Sequence, residues 1–286
     1  LIIFISFLFT FFFNLSSILN KGYKNRLPEV ISNSVNVIPT FEMLLDDQSK
    51  KCINNTCFFN QKRDKKIILF GDSHAGSLSY GLKENFDNSE YQFITKFNNC
   101  FNFIGIDQIH RRTKKIHPNC NIEKSNIDTI FFDQTYNSII IIVGRFPAFL
   151  SNLGFNNMEG GIEKDWDGDI KLRYPFKKSE IIDSFNNFIE SLLKNNNKII
   201  LVYPIPEVGF DPAKEIMKLY IDNPIKYLSD GFKYMHNTSF DVYKKRTKIT
   251  FDLFDNMESQ NISRVYPHKL FCDNFIKGRC ITHDDK

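Results

Sequence analysis

The chain has 286 residues, 42% hydrophobic and 24% charged, proportions that exclude disordered, collagen-like and coiled-coil classes. Its formal net charge of +4 lies wholly in residues 21–66, where nine Lys or Arg face five Asp or Glu; residues 67–286 carry 28 of each sign. A nucleic-acid binder concentrates basic charge on its folded domain, so the neutral main body sets that class aside.

Residues 1–20, LIIFISFLFTFFFNLSSILN, are uncharged and hold 14 strongly apolar residues. That approaches the roughly 20 residues an α-helix needs to cross a bilayer, and the expectation is one transmembrane helix over 1–20. Neither the basic start nor the small-residue cleavage site of a secretory signal is present. Residues 21–64 are mixed polar sequence without a sustained period and read as a linker leading to a domain over 65–286. Lys21, Lys24 and Arg26 would place this flank in the cytoplasm by the positive-inside rule, whereas the cysteines argue for the opposite side. The six cysteines fall into three local groupings, Cys52–Cys57, Cys100–Cys120 and Cys272–Cys280. None has metal-ligand spacing. Three disulfides in an oxidising, extracytoplasmic compartment fit them better, although six cysteines allow many connectivities.

From Lys65 onward the pattern alternates strands and helices. Ile67 to Phe70 is a short apolar run ended by Gly71, as for a strand buried on both faces. Ser77 to Phe86 reads as a helix and Tyr91 to Phe97 as a strand. Ser138 to Val143 is the clearest buried strand and ends at Gly144-Arg145. Ser179 to Asn195 places Ile181, Phe185, Phe188, Ile189 and Leu192 on one helical face, with Ser179 as N-cap. Lys198 to Tyr203 is another buried strand, stopped by Pro204. Asp241 to Met257 reads as a helix and Val265 to Cys272 as extended. This alternation implies an α/β fold with a mostly parallel sheet covered on both faces.

The focal stretch is Phe70-Gly71-Asp72-Ser73-His74-Ala75-Gly76-Ser77. It follows a buried strand and precedes a helix, the junction where α/β sheets place their ligand sites. Small residues let the backbone turn sharply and let a substrate approach Ser73, a candidate nucleophile if a histidine elsewhere takes its proton. Asp72 and His74 should point away from the serine at a tight turn, although Asp72 still belongs to the turn and oxyanion region. The same sheet edge carries Gly144, whose N–H could serve an oxyanion. It also carries Arg145, which could bind an anionic group, order the oxyanion site or form a structural ion pair. Asn98 and Asn99 could also serve an oxyanion, but Asn is common throughout the chain. Glu207 reads as a loop anchor. The basic run HRRTKKIH at 110–117 reads as a solvated face, and His110, His117, His236 and His268 have no metal-ligand spacing.

GDSHAGS after an apolar strand resembles the first block of the SGNH (GDSL-like) hydrolases, in the version fused to membrane acyltransferase-3 proteins. IIIIVGRF at 139–146, LVYPIPEVGF at 201–210 and LFCDNFIKGRC at 270–280 resemble further blocks of that version. The resemblance covers about residues 65–286. It implies a three-layer α/β/α, flavodoxin-like parallel sheet. It also implies an O-acyltransferase, most simply an O-acetyltransferase, acting through Ser73 on a cell-surface glycan such as lipopolysaccharide. The acyl donor would come through an upstream membrane domain whose last span would be the helix at 1–20, with the SGNH-like domain periplasmic. No metal and no soluble cofactor is implied. An esterase using water as acceptor, or a non-catalytic glycan-binding module, are the rival readings. The family closes its triad with Asp-x-x-His after the last cysteine pair. Here only ITHDDK follows Cys280, with His283 ahead of Asp284 and Asp285. This stretch of chain is therefore expected to lack its general base and to be nearly inert alone, since losing a triad partner costs roughly four powers of ten in rate.

Overall fold

The computed structural model of the protein describes residues 2–20, 56–86, 90–97, 107, 115–116, 131–164, 178–223, 225 and 237–281. In chain order the elements are α1 (Ile2–Leu19), β1 (Thr56–Phe59), β2 (Lys65–Gly71), α2 (Ser73–Phe86), β3 (Tyr91–Phe97), β4 (Ile139–Val143), α3 (Phe146–Ser151) and α4 (Lys178–Lys194). There follow β5 (Lys198–Val202), α5 (Pro212–Asp222), β6 (Asn237–Ser239), α6 (Phe240–Asp255), β7 (Ile262–Val265), α7 (His268–Phe271) and β8 (Arg279–Ile281). The chain divides into two units, one of residues 1–38, 211–233 and 285–286 and the other of residues 39–210 and 234–284.

The smaller unit holds α1 and α5. The expectation for residues 1–20 is a transmembrane span, and they form α1 from Ile2 to Leu19. Among the described residues no helix is long and apolar enough to cross a membrane. Thr10 and Asn14 interrupt the apolar run of α1, and their side chains donate to the carbonyls of Ser6 and Thr10 one turn back.

The larger unit is built on a six-stranded sheet in the order β1-β3-β2-β4-β5-β7. All pairs are parallel except β1 on β3, which is antiparallel. Period-2 alternation along these strands divides the core into two layers. Ile68, Phe70, Ile140 and Ile142 point to the face covered by α3, α4 and α6, where they meet Phe146, Phe185, Phe188 and Phe254. Ile67, Leu69, Ile141 and Val143 point to the other face, covered by Ala75, Leu78, Leu82 and Phe86 of α2. The result is the three-layer α/β/α arrangement expected from the alternating elements. Fully burying each of the Ile, Val, Leu and Phe side chains that the strands contribute adds about 1.5–3 kcal/mol.

Several boundaries differ from the sequence expectation, each for a local reason. Helix α2 begins at Ser73, four residues before the expected start, because the Asp72 carboxylate caps it by accepting the His74 N–H at 2.8 Å. Ser179 lies inside α4 and does not cap it, the helix starting at Lys178. The extended segment expected from Val265 to Cys272 is interrupted by α7. Pro267, at φ −58° and ψ −34°, sets a helical first turn where a proline needs no N–H. The linker read over 21–64 includes β1, an edge strand of four residues, too short for its alternation to register as a period. A second, two-stranded sheet pairs β6 with β8. Of the expected disulfides, Cys272–Cys280 is formed. Cys57 is disulfide-bonded, but Cys52, Cys100 and Cys120 lie outside the described residues, and so do His283 and all but two residues of the basic run.

Candidate active site at the carboxyl edge of the sheet

Parallel strands end on one edge of a sheet, so the turns after β2, β4, β5 and β7 gather there. Between β2 and β4 the backbones approach too closely for any side chain at Gly71. A Cβ there would lie 1.6 Å from the Val143 carbonyl oxygen, and the glycine adopts φ +157°. That approach lets the next residue, Asp72, reach across to the neighbouring turn. Asp72 is 4% exposed. One of its carboxylate oxygens accepts the His74 N–H at 2.8 Å and the other accepts the Arg145 N–H at 2.7 Å. A carboxylate accepting two backbone N–H groups is a strong local anchor. Asp72 therefore acts as a pin between the turns after β2 and β4. A carboxylate also cannot donate to an oxyanion. Ser73, the first residue of α2, is exposed, and the positive end of the helix dipole lies there.

Arg145 leaves the sheet edge directly into an ion-pair network. Its Nε donates to Glu207 at 2.7 Å and its Nη1 to Glu163 at 2.7 Å. Its Nη2 bonds both Glu163 and Glu207. Burial alone would lower the guanidinium pKa, but the two carboxylates prevail and hold it raised. Burial likewise pushes the Glu163 carboxyl up, and the Arg145 contacts pull it below its ordinary value. Glu207, with its side chain 8% exposed, gives its second oxygen to Arg246 Nε at 2.9 Å. Arg246 in turn donates to Ser151 Oγ and the Leu153 carbonyl. Of the roles open to Arg145 in the sequence, the structural ion pair is the one formed. Its backbone N–H is held by Asp72, which leaves the buried Gly144 as the oxyanion candidate from this turn.

The segment after β5, residues 203–210, is fixed from several sides. Tyr243 Oη donates to the Pro204 carbonyl at 2.8 Å, and Asn157 Nδ2 to the Val208 carbonyl at 3.2 Å. Gly209, at φ +76°, packs so closely on Gly161 that a Cβ would lie 2.8 Å from that residue's carbonyl oxygen. With Glu207 between two arginines, this segment forms one wall of a groove of about 600 Å³ whose other lining includes His74, Ser77, Arg145 and Glu163. Groove volumes of this order suit small-molecule ligands. Sequence reasoning gave Glu207 as an anchor but missed Glu163 and Arg246. Arg246 had a signal: it falls on the same face of α6 as Tyr243 and Thr250, which are buried, and a charge on an apolar helical face needs a partner. His268 does not line the groove. Its ring lies among Phe240, Tyr243, Phe251 and Tyr266. Asn98, Asn99, His110, His117 and His236 lie outside the described residues.

The family model "SGNH domain (fused to AT3 domains)" matches residues 42–286. The chain belongs to that family. Among curated proteins, none matches the chain. A solved structure, the periplasmic domain of the lipopolysaccharide acetyltransferase of Salmonella ser. Paratyphi A, is similar at 16% identity over 76% of this chain and 70% of that one, with a TM-score of 0.49. In this SGNH domain the GDSH stretch stands where the sheet ends and the helix begins, with its serine exposed.

Proposed function

We propose that this SGNH domain transfers an acyl group, most simply acetyl, through Ser73 onto a hydroxyl of a cell-surface glycan such as lipopolysaccharide. The observation that carries this reading is an exposed serine on the first turn of a helix at the carboxyl edge of a parallel sheet, on a turn held by a buried aspartate. In the first half-reaction Ser73 Oγ attacks the acyl carbonyl, forming an acyl-serine ester as the donor's leaving group departs with a proton. In the second, the sugar hydroxyl attacks that ester, its proton goes to the base, and Ser73 recovers its hydroxyl. The base belongs to the Asp-x-x-His motif that the family carries after its last cysteine pair, a motif absent from residues 281–286. The N-terminal turn of α2 and the Gly144 N–H would stabilise the oxyanion. The donor would be delivered by an upstream membrane acyltransferase domain of the kind to which this family is fused. An extracytoplasmic location is supported by the Cys272–Cys280 bond and by the absence of a free cysteine among the described residues.

The test is surface O-acetylation by cells expressing the whole protein with Ser73→Ala, read by mass spectrometry of the isolated polysaccharide. The expected outcome is loss of acetylation by several powers of ten in rate, with unchanged membrane levels of the protein. Undiminished acetylation would remove Ser73 from the chemistry.

A further inference from the structure

We infer that the groove lined by His74 and Ser77, on the helix that Ser73 begins, receives an uncharged sugar and turns away anionic ones, an assignment that rests on the acyl-transfer reading for the ligand being a glycan. A basic residue at the end of β4 first suggests an anion site. The geometry points the other way, because four donor contacts of Arg145 already run to Glu163 and Glu207. The compensating cation, Arg246, has a side chain only 11% exposed and sits behind Glu207. Glu163 is the most open member of the network, with its side chain 37% exposed against 24% for Arg145. Among the described residues lining the groove, two carboxylates therefore face one guanidinium. An incoming carboxylate, phosphate or sulfate would meet like charge and no uncommitted guanidinium. A neutral sugar meets a different surface. Carboxylate oxygens keep spare lone pairs for hydroxyl donors, His74 and Ser77 add polar contacts, and Ile205, Pro206 and Phe210 offer apolar surface to the C–H face of a ring.

The experiment uses the whole protein carrying Ser73→Ala, so that bound glycan is not turned over. It is probed on a printed array of neutral oligosaccharides and their uronic-acid, phosphorylated and sulfated counterparts at low ionic strength. Neutral members should be retained about tenfold better than their anionic counterparts. Glu163→Gln should narrow that gap about tenfold by raising retention of the anionic members. Ser77→Lys, which places a cation in the groove without breaking the ion-pair network, should narrow it as well, and thermal melts would confirm that both variants fold. Equal or better retention of anionic glycans by the unsubstituted groove overturns the inference, and so does retention of none. The two readings fail separately. Loss of surface acetylation in Ser73→Ala with no neutral preference leaves the function standing and removes this groove. A neutral preference with acetylation intact does the reverse.

Discussion

At the scale of single residues, the most consequential side chain beside the nucleophile is Asp72. It is buried, and each of its oxygens takes one backbone N–H from a different turn. Asp72→Ala would strand both donors and lose the α2 cap, a combined cost of roughly 2–4 kcal/mol. Urea unfolding should show that loss. Turnover in the whole protein should fall further than Asp72→Asn causes, because the amide oxygen can keep one of the two bonds. Ser73, exposed on the same turn, should be replaceable by Ala with no change in the urea midpoint. The sequence made the serine legible through its strand, glycine and helix context. It did not reveal what Asp72 holds, because a contact to Arg145 spans 73 residues and leaves no local pattern. The same limit hid Glu163, whose partner Arg145 lies 18 residues earlier, on the far side of α3.

At the scale of elements, the wall formed by residues 203–210 depends on Glu207 between Arg145 and Arg246. Removing one partner of a buried ion pair costs about 3–5 kcal/mol, because it leaves an uncompensated charge. Glu207→Ala should therefore destabilise by about that amount, and Arg246→Ala by less, since Arg145 continues to satisfy the carboxylate. The double variant should be less damaging than the sum of the two, with a coupling of about 1–3 kcal/mol in a double-mutant cycle. The central strands β2 to β5 were well legible as elements, because buried parallel strands read as unbroken apolar runs, whereas β7, with only Ile262 of its four residues buried, was missed. Tyr91–Phe97 forms with the bounds expected, and Ile139–Val143 and Lys198–Val202 each lose only one residue at an end. Helix starts were poorly legible where a cap came from an unexpected residue, as at Asp72, and α7 was missed because four residues cannot establish a period.

At the scale of the larger unit, the two apolar layers make the sheet robust, and its acid sensitivity should reside at one corner. His268 lies among four aromatic rings, and its Nδ1 is buried without a hydrogen-bond partner. Burial, and secondarily Lys269, holds its pKa below the ordinary 6.5. The unfolded chain therefore binds a proton before the folded one does, so stability falls as pH drops below about 6.5, until the folded imidazole is itself protonated. Urea midpoints measured from pH 8 to pH 5 should show that decline, and His268→Phe should flatten it. A slope unchanged by the substitution would assign the sensitivity to other groups. Nothing in the spacing of His268 predicted this environment, since its neighbours come from α6 and from the end of β7.

The hairpin closed by Cys272 and Cys280 has a further consequence. Phe240 at the start of α6 donates its backbone N–H to the Gly278 carbonyl inside that small loop, so the crosslink tethers the helix that carries Arg246. Closing so short a loop contributes roughly 2–3 kcal/mol. Replacing Cys272 and Cys280 together by Ser should therefore lower the thermal midpoint while leaving the central sheet folded, and it should loosen the groove wall before the serine turn. Under the proposed function, loss of that one crosslink would act on the choice of acceptor ahead of the chemistry at the serine, so the crosslink protects fidelity more than speed.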